Sequence, residues 1–227
     1  MDLKNQVKIE VKRLSLDGKT PLEFCQEVCE MTFLGKSKIS LDTIFKSEHS
    51  PARTQLFWIT FKNLPLFIST HFIRHHVGSI PYQLTCRDDR TGGNVDLKTK
   101  LHQFAEYHIN AKEISDDYID SMFNSIDRYT PVNLGLLINA QSLIDMFKMR
   151  LCLQSHKQTV QVAKMLKEAI GKVEPELAPY LVPKCIYRGG ICGEPKPCGW
   201  NQTRAFDREI TAYISKFNDK QLPKYFK

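Results

Sequence analysis

The segment 70–76 places Arg74 beside three histidines, a composition that a buried core does not tolerate without a ligand. Asn63-Leu64-Pro65 before it is typical of a helix start, with proline in the first turn. A helix from there through His75 puts His71, Arg74 and His75 on one face, because residues three and four apart are neighbours on a helix. This face must meet either solvent or a ligand.

A second polar segment follows the turn residues Gly78 and Pro81. Gln83, Thr85 and Arg87 alternate with apolar neighbours, so in an extended strand they point to one side. Together the two segments offer two arginines, amides or hydroxyls, and imidazoles, a set that suits a phosphate and a heteroaromatic ring. The alternative is a solvated helix end, whose cations relieve the dipole at the C-terminus.

A third segment, 139–151, is helical by its period and composition. Asn139 and Arg150 are eleven residues apart, about three turns, and share a face. Gln141 and Asp145 form an i, i+4 pair on another face. Polar groups on two faces suggest a helix between subunits or between two ligands, and the alternative is an amphipathic surface helix.

The first two segments resemble a signature of the flavin-dependent thymidylate synthases. In that family Arg-His-Arg is followed seven or eight residues later by serine and then, two further on, by arginine. Here Arg74-His75-His76 is followed by Thr85 and Arg87, so histidine replaces the last arginine and threonine the serine. Gln83 stands where the family often has glutamate.

The third segment resembles the same family's pattern Asn-Ala-Arg-Ser-Leu, then Asn, then Phe-x-Leu-Arg. Here the residues are Asn139-Ala140-Gln141-Ser142-Leu143, then Asp145, then Phe147-Lys148-Met149-Arg150. Order and spacing match. His49-Ser50-Pro51 resembles a further family element, and the resemblance extends over roughly residues 40 to 200.

The resemblance implies an α+β fold: a twisted, mostly antiparallel sheet packed with helices, assembled as a homotetramer with nucleotide sites between subunits. It implies FAD as cofactor, with NADPH and methylenetetrahydrofolate as co-substrates. The implied reaction is one-carbon transfer to C5 of dUMP, giving dTMP. Three alternatives stay open: the same chemistry on dCMP or UMP, hydroxymethylation instead of methylation, and a basic nucleic-acid-binding protein without catalysis.

The resemblance also implies residue roles. Arg150 is the predicted catalytic residue, a cation that stabilises charge developing on the pyrimidine. The residues predicted to bind substrate are His71, Arg74, Gln83, Thr85, Arg87 (from a neighbouring subunit) and Arg150. The residues predicted to bind FAD are Arg74, His75, His76, Gln83, Asn139, Gln141 and Asp145.

Asp145 replaces a family asparagine, which bears on the choice of base. A carboxylate only accepts hydrogen bonds, so beside the base it would repel uracil O4 and accept from the cytosine amino group. Contact with the flavin, or pairing with Lys148 or a neighbouring arginine, are the other interpretations. Uracil is therefore the expected base and cytosine the alternative.

The composition is that of a globular protein with anionic partners. At 227 residues, 42% of them hydrophobic, the chain is long enough for a domain with its own core. A net charge of +7 fits nucleotides, phosphorylated cofactors or nucleic acid. No apolar run approaches the ~20 residues of a membrane span, and the first residues show no signal segment, so a cytoplasmic protein is expected.

Seven cysteines without a secretion signal favour reduced thiols or a metal over disulfides. Cys185, Cys192 and Cys198 are spaced like half of a zinc site, but no Cys-x-x-Cys pair and no fourth ligand is evident. No metal is therefore predicted, with zinc at these three as the weaker alternative. Residues 1–200 are predicted to form the synthase-like domain including this tail, and 201–227 a helical extension.

Other elements follow from local patterns. Val7, Ile9 and Val11 predict a strand, and a Thr20–Glu23 capping box predicts a helix that ends near Gly35. Further predicted elements are a buried strand at 56–61 and helices at 97–107, 118–123, 156–173 and 206–217.

Overall fold

A computed structural model of the chain describes residues 3–32, 35–84, 128, 130–218 and 220–222. Its strands are β1 (Lys8–Arg13), β2 (Leu56–Pro65), β3 (Ser79–Gln83) and β4 (Pro131–Asn139). Its helices are α1 (Pro21–Glu30), α2 (Leu41–Ser47), α3 (Leu66–Ile73), α4 (Ala140–Arg150), α5 (Lys157–Val173), α6 (Lys184–Tyr187) and α7 (Arg204–Ile214). Among these helices, none is both long and apolar enough to cross a membrane.

The strands form one antiparallel sheet in the order β1-β2-β4-β3. Because side chains alternate along a strand, the apolar residues of β2 and β4 share one face. Phe57 and its register partner Ile138, and Ile59 with its partner Leu136, are all at most 1% exposed. The mixed helix and antiparallel sheet arrangement agrees with the predicted class.

The core under this face is aromatic. Its largest fully buried side chains are Phe45, Phe57, Phe61, Phe72 and Phe147, contributed by helices and by β2. Replacing one such side chain by alanine costs about 3–5 kcal/mol. The core therefore fixes α3 and α4, which carry the predicted site residues, against the sheet.

Several local predictions are confirmed. Thr20 accepts from the backbone N–H of Glu23, whose side chain accepts from the N–H of Thr20, as in a capping box. The helix that this box begins, α1, buries Cys25 and Cys29 in the core. The strand at 7–11, the buried strand at 56–61 and the helices at 156–173 and 206–217 correspond to β1, β2, α5 and α7.

The predicted helix start at 63–65 is wrong. β2 continues through Pro65 after an irregularity at Asn63, where φ is +58°, and Leu64 still pairs with Val132. α3 begins at Leu66, with Pro65 as its N-cap, and ends at Ile73. His75 therefore lies beyond the end of the helix, in the turn that leads to Gly78.

The predicted turn at Pro81 is also wrong. Pro81 lies within β3, opposite Leu136 of β4. β3 is an edge strand, and an edge position tolerates proline because one side of the strand needs no ladder donor. The turn lies earlier, at Gly78, where φ is +70°.

Other predictions fall outside the described residues: the helices at 97–107 and 118–123, and the strand positions Thr85 and Arg87. The C-terminal helix α7 packs Phe206 and Ile210 against Val182 and Ile186 in a small second core. The division into 1–200 and 201–227 stays a prediction.

Candidate active site

Three segments meet at the start of α4. Asn139 ends β4 and caps α4, since its side-chain oxygen accepts from the N–H of Ser142 at 2.9 Å. The N–H of Ala140 donates to the carbonyl of Gln55 at 2.9 Å, and the N–H of Asn139 donates to the carbonyl of Gly78 at 3.1 Å. These bonds hold the 50–55 turn and the 74–78 turn against one helix N-terminus.

The 74–78 turn requires its glycine. A Cβ on Gly78 would collide with the side chains of Asn139 and Ser142, and its φ of +70° is one that glycine adopts without strain. Ser142 Oγ donates to the carbonyl of Val77 at 2.6 Å. The turn therefore lies directly on α4 and carries Arg74 and His75 with it.

A cavity of about 460 Å³ opens between these segments. Its volume is in the range of about 300–1,000 Å³ that is typical of small-molecule sites. The N-terminus of α4 adjoins it and favours negative charge there. The lining residues are Arg53, Arg74, His75, His76, Val77, Gly78, Asn139, Gln141, Ser142 and Asp145. They include every residue predicted to bind FAD except Gln83.

Arg150 is not one of the lining residues, but it contacts His75, which is. Its Nε donates to Nε2 of His75 at 2.9 Å, so this imidazole nitrogen is an acceptor and unprotonated. The pKa of His75 is lowered to about 4, chiefly by burial and secondly by the positive charge of Arg150. A neutral imidazole therefore holds one edge of the guanidinium, whose remaining N–H groups are left to donate elsewhere.

Arg74 and Arg150 form a like-charged pair. Burial is the larger cause that lowers the pKa of Arg150, and the charge of Arg74 is the second. Within the described residues neither arginine forms an ion pair with a carboxylate. Two guanidinium groups that repel each other beside a cavity favour a bound anion, for which phosphate is the usual partner.

Asp145 already has a cationic partner. Lys148 Nζ lies 3.0 Å from one of its oxygens and 3.1 Å from Glu48, and it also sits 3.6 Å from the centre of the Tyr187 ring. Burial acts to lower the pKa of Lys148, but the two carboxylates raise it above its usual value. Gln141 Nε2 donates to Glu48 at 2.7 Å. The pairing of Asp145 with Lys148, one of the predicted alternatives, is therefore present.

Two of the residues predicted to bind substrate lie away from this cavity. His71 Nδ1 is 2.8 Å from Thr159 Oγ1, and its ring meets the edge of Phe67. Gln83 accepts from Ser69 Oγ at 3.0 Å. Their predicted roles, and those of Thr85 and Arg87 outside the described residues, stay predictions.

Sequence reasoning missed Arg53 and Glu48. Arg53 lines the cavity from the short 3-10 turn Ser50–Thr54, and Glu48 bonds Gln141 and Lys148 from a left-handed backbone position with φ of +52°. Both flank His49-Ser50-Pro51, and that motif was the available signal. His49 itself is exposed and lies outside the cavity lining.

The low pKa of His75 predicts a pH dependence of stability. In the unfolded chain His75 takes up a proton as pH falls through about 6.5, whereas in the folded chain it does so only near 4. Across that window the unfolded state binds more protons, so the free energy of unfolding decreases as the pH decreases. The decrease is on the order of 1 kcal/mol after solvent screening. Urea unfolding at about pH 7 and 5 measures it. His75→Gln should shrink the difference, and an unchanged difference would contradict a buried neutral His75.

No family model and no curated protein matches this chain. Several solved structures resemble it. One is flavin-dependent thymidylate synthase ThyX from Helicobacter pylori complexed with FAD and dUMP, at 15% identity and a TM-score of 0.52, covering 76% of this chain and 99% of that chain. Another is the UMP/dUMP methylase PolB from Streptomyces cacaoi bound with 5-Br dUMP, at 14% identity and a TM-score of 0.50, covering 76% and 94%. At these identities the likeness shows the fold: this chain shares the mixed helix and antiparallel sheet fold of ThyX.

Proposed function

We propose that the protein is a flavin-dependent enzyme that transfers a one-carbon unit from methylenetetrahydrofolate to C5 of a pyrimidine nucleotide, with dUMP as first substrate and dTMP as product. One observation carries this proposal. Arg74 lines one cavity beside a helix N-terminus with His75 and two amide side chains, and Arg150 bonds that neutral imidazole. Among the described residues neither arginine has a carboxylate partner. A phosphate and a heteroaromatic ring satisfy that set together.

The two arginines take different parts. Arg74 is exposed at the cavity and binds the nucleotide phosphate, together with Thr85 and Arg87. Arg150 is half-buried and oriented by His75, so its free N–H groups donate to the pyrimidine carbonyls, where negative charge develops. His75 is a positioning residue in this scheme, because it touches Arg150 and fixes the direction of its guanidinium.

The remaining polar groups fit a flavin edge, which offers several acceptors and one N–H donor. The side-chain oxygen of Asn139 is used by Ser142, which leaves its NH₂ group to donate. Gln141 donates to Glu48, which leaves its carbonyl oxygen to accept. Bound FAD, reloaded by NADPH, would supply the hydride, and these side chains orient it.

The edge strand β3 supports the proposed homotetramer. Val77, Ile80, Tyr82 and Leu84, in and next to this strand, expose 79%, 52%, 58% and 44% of their surface, and β3 is the outermost strand among the described residues. Exposed apolar edges are liabilities that proteins cover. A second copy would cover this one and would bring Arg87 of a neighbouring chain toward the site, in the cytoplasm where these substrates occur.

The deciding experiment uses the purified full chain. We expect a yellow oligomer that converts dUMP when given FAD, NADPH and methylenetetrahydrofolate, with dCMP and UMP offered in parallel and each product's mass separating methyl from hydroxymethyl. A colourless protein that takes up no FAD and binds nucleic acid instead would overturn the proposal in favour of the nucleic-acid-binding alternative.

Asp145 bears on the second candidate substrate, dCMP. Because Lys148 and Gln141 already donate to its carboxylate, we expect Asp145→Asn to leave the ratio of kcat/KM for dUMP over dCMP within about threefold of wild type. The measurement is kcat/KM for dUMP and for dCMP, each with wild type and with Asp145→Asn. A rise of more than about tenfold in that ratio would show that Asp145 reads the base.

A further inference from the structure

Four cysteines converge where three segments of the chain meet. A small cavity of about 20 Å³ is lined by Cys152, Cys185, Cys192 and Cys198. Cys152 lies in the turn after α4, and Cys185 lies in α6. The other two lie in the irregular segment 188–199. The sequence spacing indicated three of these cysteines as the weaker zinc alternative, and the fold places Cys152 beside them as a fourth.

Backbone turns and hydrogen bonds hold the segments that carry these thiols next to one another. Gly189 and Gly190, with φ of +65° and +99°, reverse the chain directly after α6. The N–H of Gly190 donates to the carbonyl of Cys185 at 2.8 Å. Gln154 donates to the carbonyl of Lys196, which holds the turn containing Cys152 against the irregular segment.

The charge around the cluster is mixed, with cations close by. Lys184 lines the same cavity, and the guanidinium of Arg188 lies against Gly193, where a Cβ would collide with it. Glu194 lines the cavity as well.

We propose that Cys152, Cys185, Cys192 and Cys198 together bind one structural zinc ion. Four Zn–S bonds form, the four thiols release four protons to solvent, and nothing is oxidised or reduced. The resulting complex carries a charge of −2, which Lys184 and Arg188 offset in part, since Glu194 in the same lining adds one negative charge. Four thiolates in a tetrahedral set select zinc among the common divalent cations.

The sulfurs must draw closer to form this set. In the part of the chain that the structure describes, no group of three or more His, Cys, Asp or Glu side chains is gathered tightly enough to hold a metal ion. Cys192 and Cys198 lie in a segment without helix or strand, which ends at Gly199 with φ of +76°. Closing the set therefore requires this segment to rearrange toward Cys152 and Cys185, and metal binding would drive that rearrangement.

This site would support the end of α4. Cys152 follows Arg150 by two residues, and zinc would link that turn to α6 and the C-terminal segment. Metal binding therefore stabilises the fold irrespective of whether the proposed enzyme function is correct. The test below uses metal content and thermal stability, so its failure is distinguishable from a failure of the proposed reaction.

The experiment is metal analysis of the full chain purified from zinc-supplemented cells without chelator. We expect about one zinc per chain, and Cys152→Ser and Cys198→Ser to retain less than about a fifth of it. Cys29→Ala, which alters a buried core cysteine outside the cluster, is the matched control and should keep its zinc. EDTA should lower the Tm of wild type by about 5 °C or more and leave that of Cys198→Ser unchanged.

A second measurement does not depend on variants that fold. Wild type refolded with Co²⁺ alone should show an intense thiolate-to-cobalt charge-transfer absorption and the visible bands of a tetrahedral site. The proposal is overturned if wild type holds less than about a tenth of an equivalent of zinc and shows no such absorption. Iron with acid-labile sulfide, or two disulfides detected by mass, would also overturn it.

Discussion

Arg150→Ala is expected to lower kcat/KM for dUMP by at least about 100-fold, the usual cost of removing a donor aimed at developing charge. The fold should be unaffected. The variant removes a half-buried guanidinium that Arg74 repels and that no carboxylate in the described structure neutralises. His75 loses only one donor, and its neutral ring can accept from water instead.

Two further variants separate charge from geometry. Arg150→Lys keeps the charge but loses the planar fork that donates to His75 and, in the proposed role, to the base as well, so intermediate activity is expected. Arg204→Ala removes an exposed arginine from the start of α7 and should behave as wild type. Steady-state kinetics with circular dichroism measure both properties. If Arg150→Ala has a kcat/KM for dUMP within about threefold of wild type, the role proposed for Arg150 is ruled out.

Local signals sufficed for the elements that carry the candidate site. The polar spacing from Asn139 to Arg150 corresponds to the cap and the last residue of α4. Apolar alternation marked β1, an apolar run marked β2 as a buried strand, and a capping box marked the start of α1. In these segments the local preference for helix or strand agrees with the tertiary packing. Sequence patterns are reliable under that condition.

The contacts within the candidate site that were not predicted depend on segments that are distant in the sequence. His75 reaches Arg150 because the chain leaves α3 after Ile73, an event set by the packing of Gly78 on Asn139 and not by the helical period. Arg53 reaches the cavity because Gln55 bonds the start of α4. Polar residues in turns carry no periodic signal, so only the assembled fold reveals which of them meet.

Arg74→Ala is expected to weaken dUMP binding by about 30- to 100-fold, because a charge-assisted, bidentate contact to phosphate is lost. In the unliganded protein the same change should leave the free energy of unfolding unchanged or slightly higher. Arg74 repels Arg150 and has no ion pair of its own in the described structure, so its removal relieves repulsion and breaks no attraction. A residue that is neutral for the fold and costly for binding is the signature of a ligand contact.

Deoxyuridine makes this prediction specific to the phosphate. It carries the same base and sugar as dUMP, so wild type and Arg74→Ala should bind it with affinities within about threefold of each other. Isothermal titration of both ligands into both proteins measures the four affinities, with Arg208→Ala on α7 as an exposed-arginine control. If Arg74→Ala weakens the binding of dUMP and deoxyuridine equally, Arg74 contacts the base or the flavin and not the phosphate. An unchanged dUMP affinity would remove it from the binding site altogether.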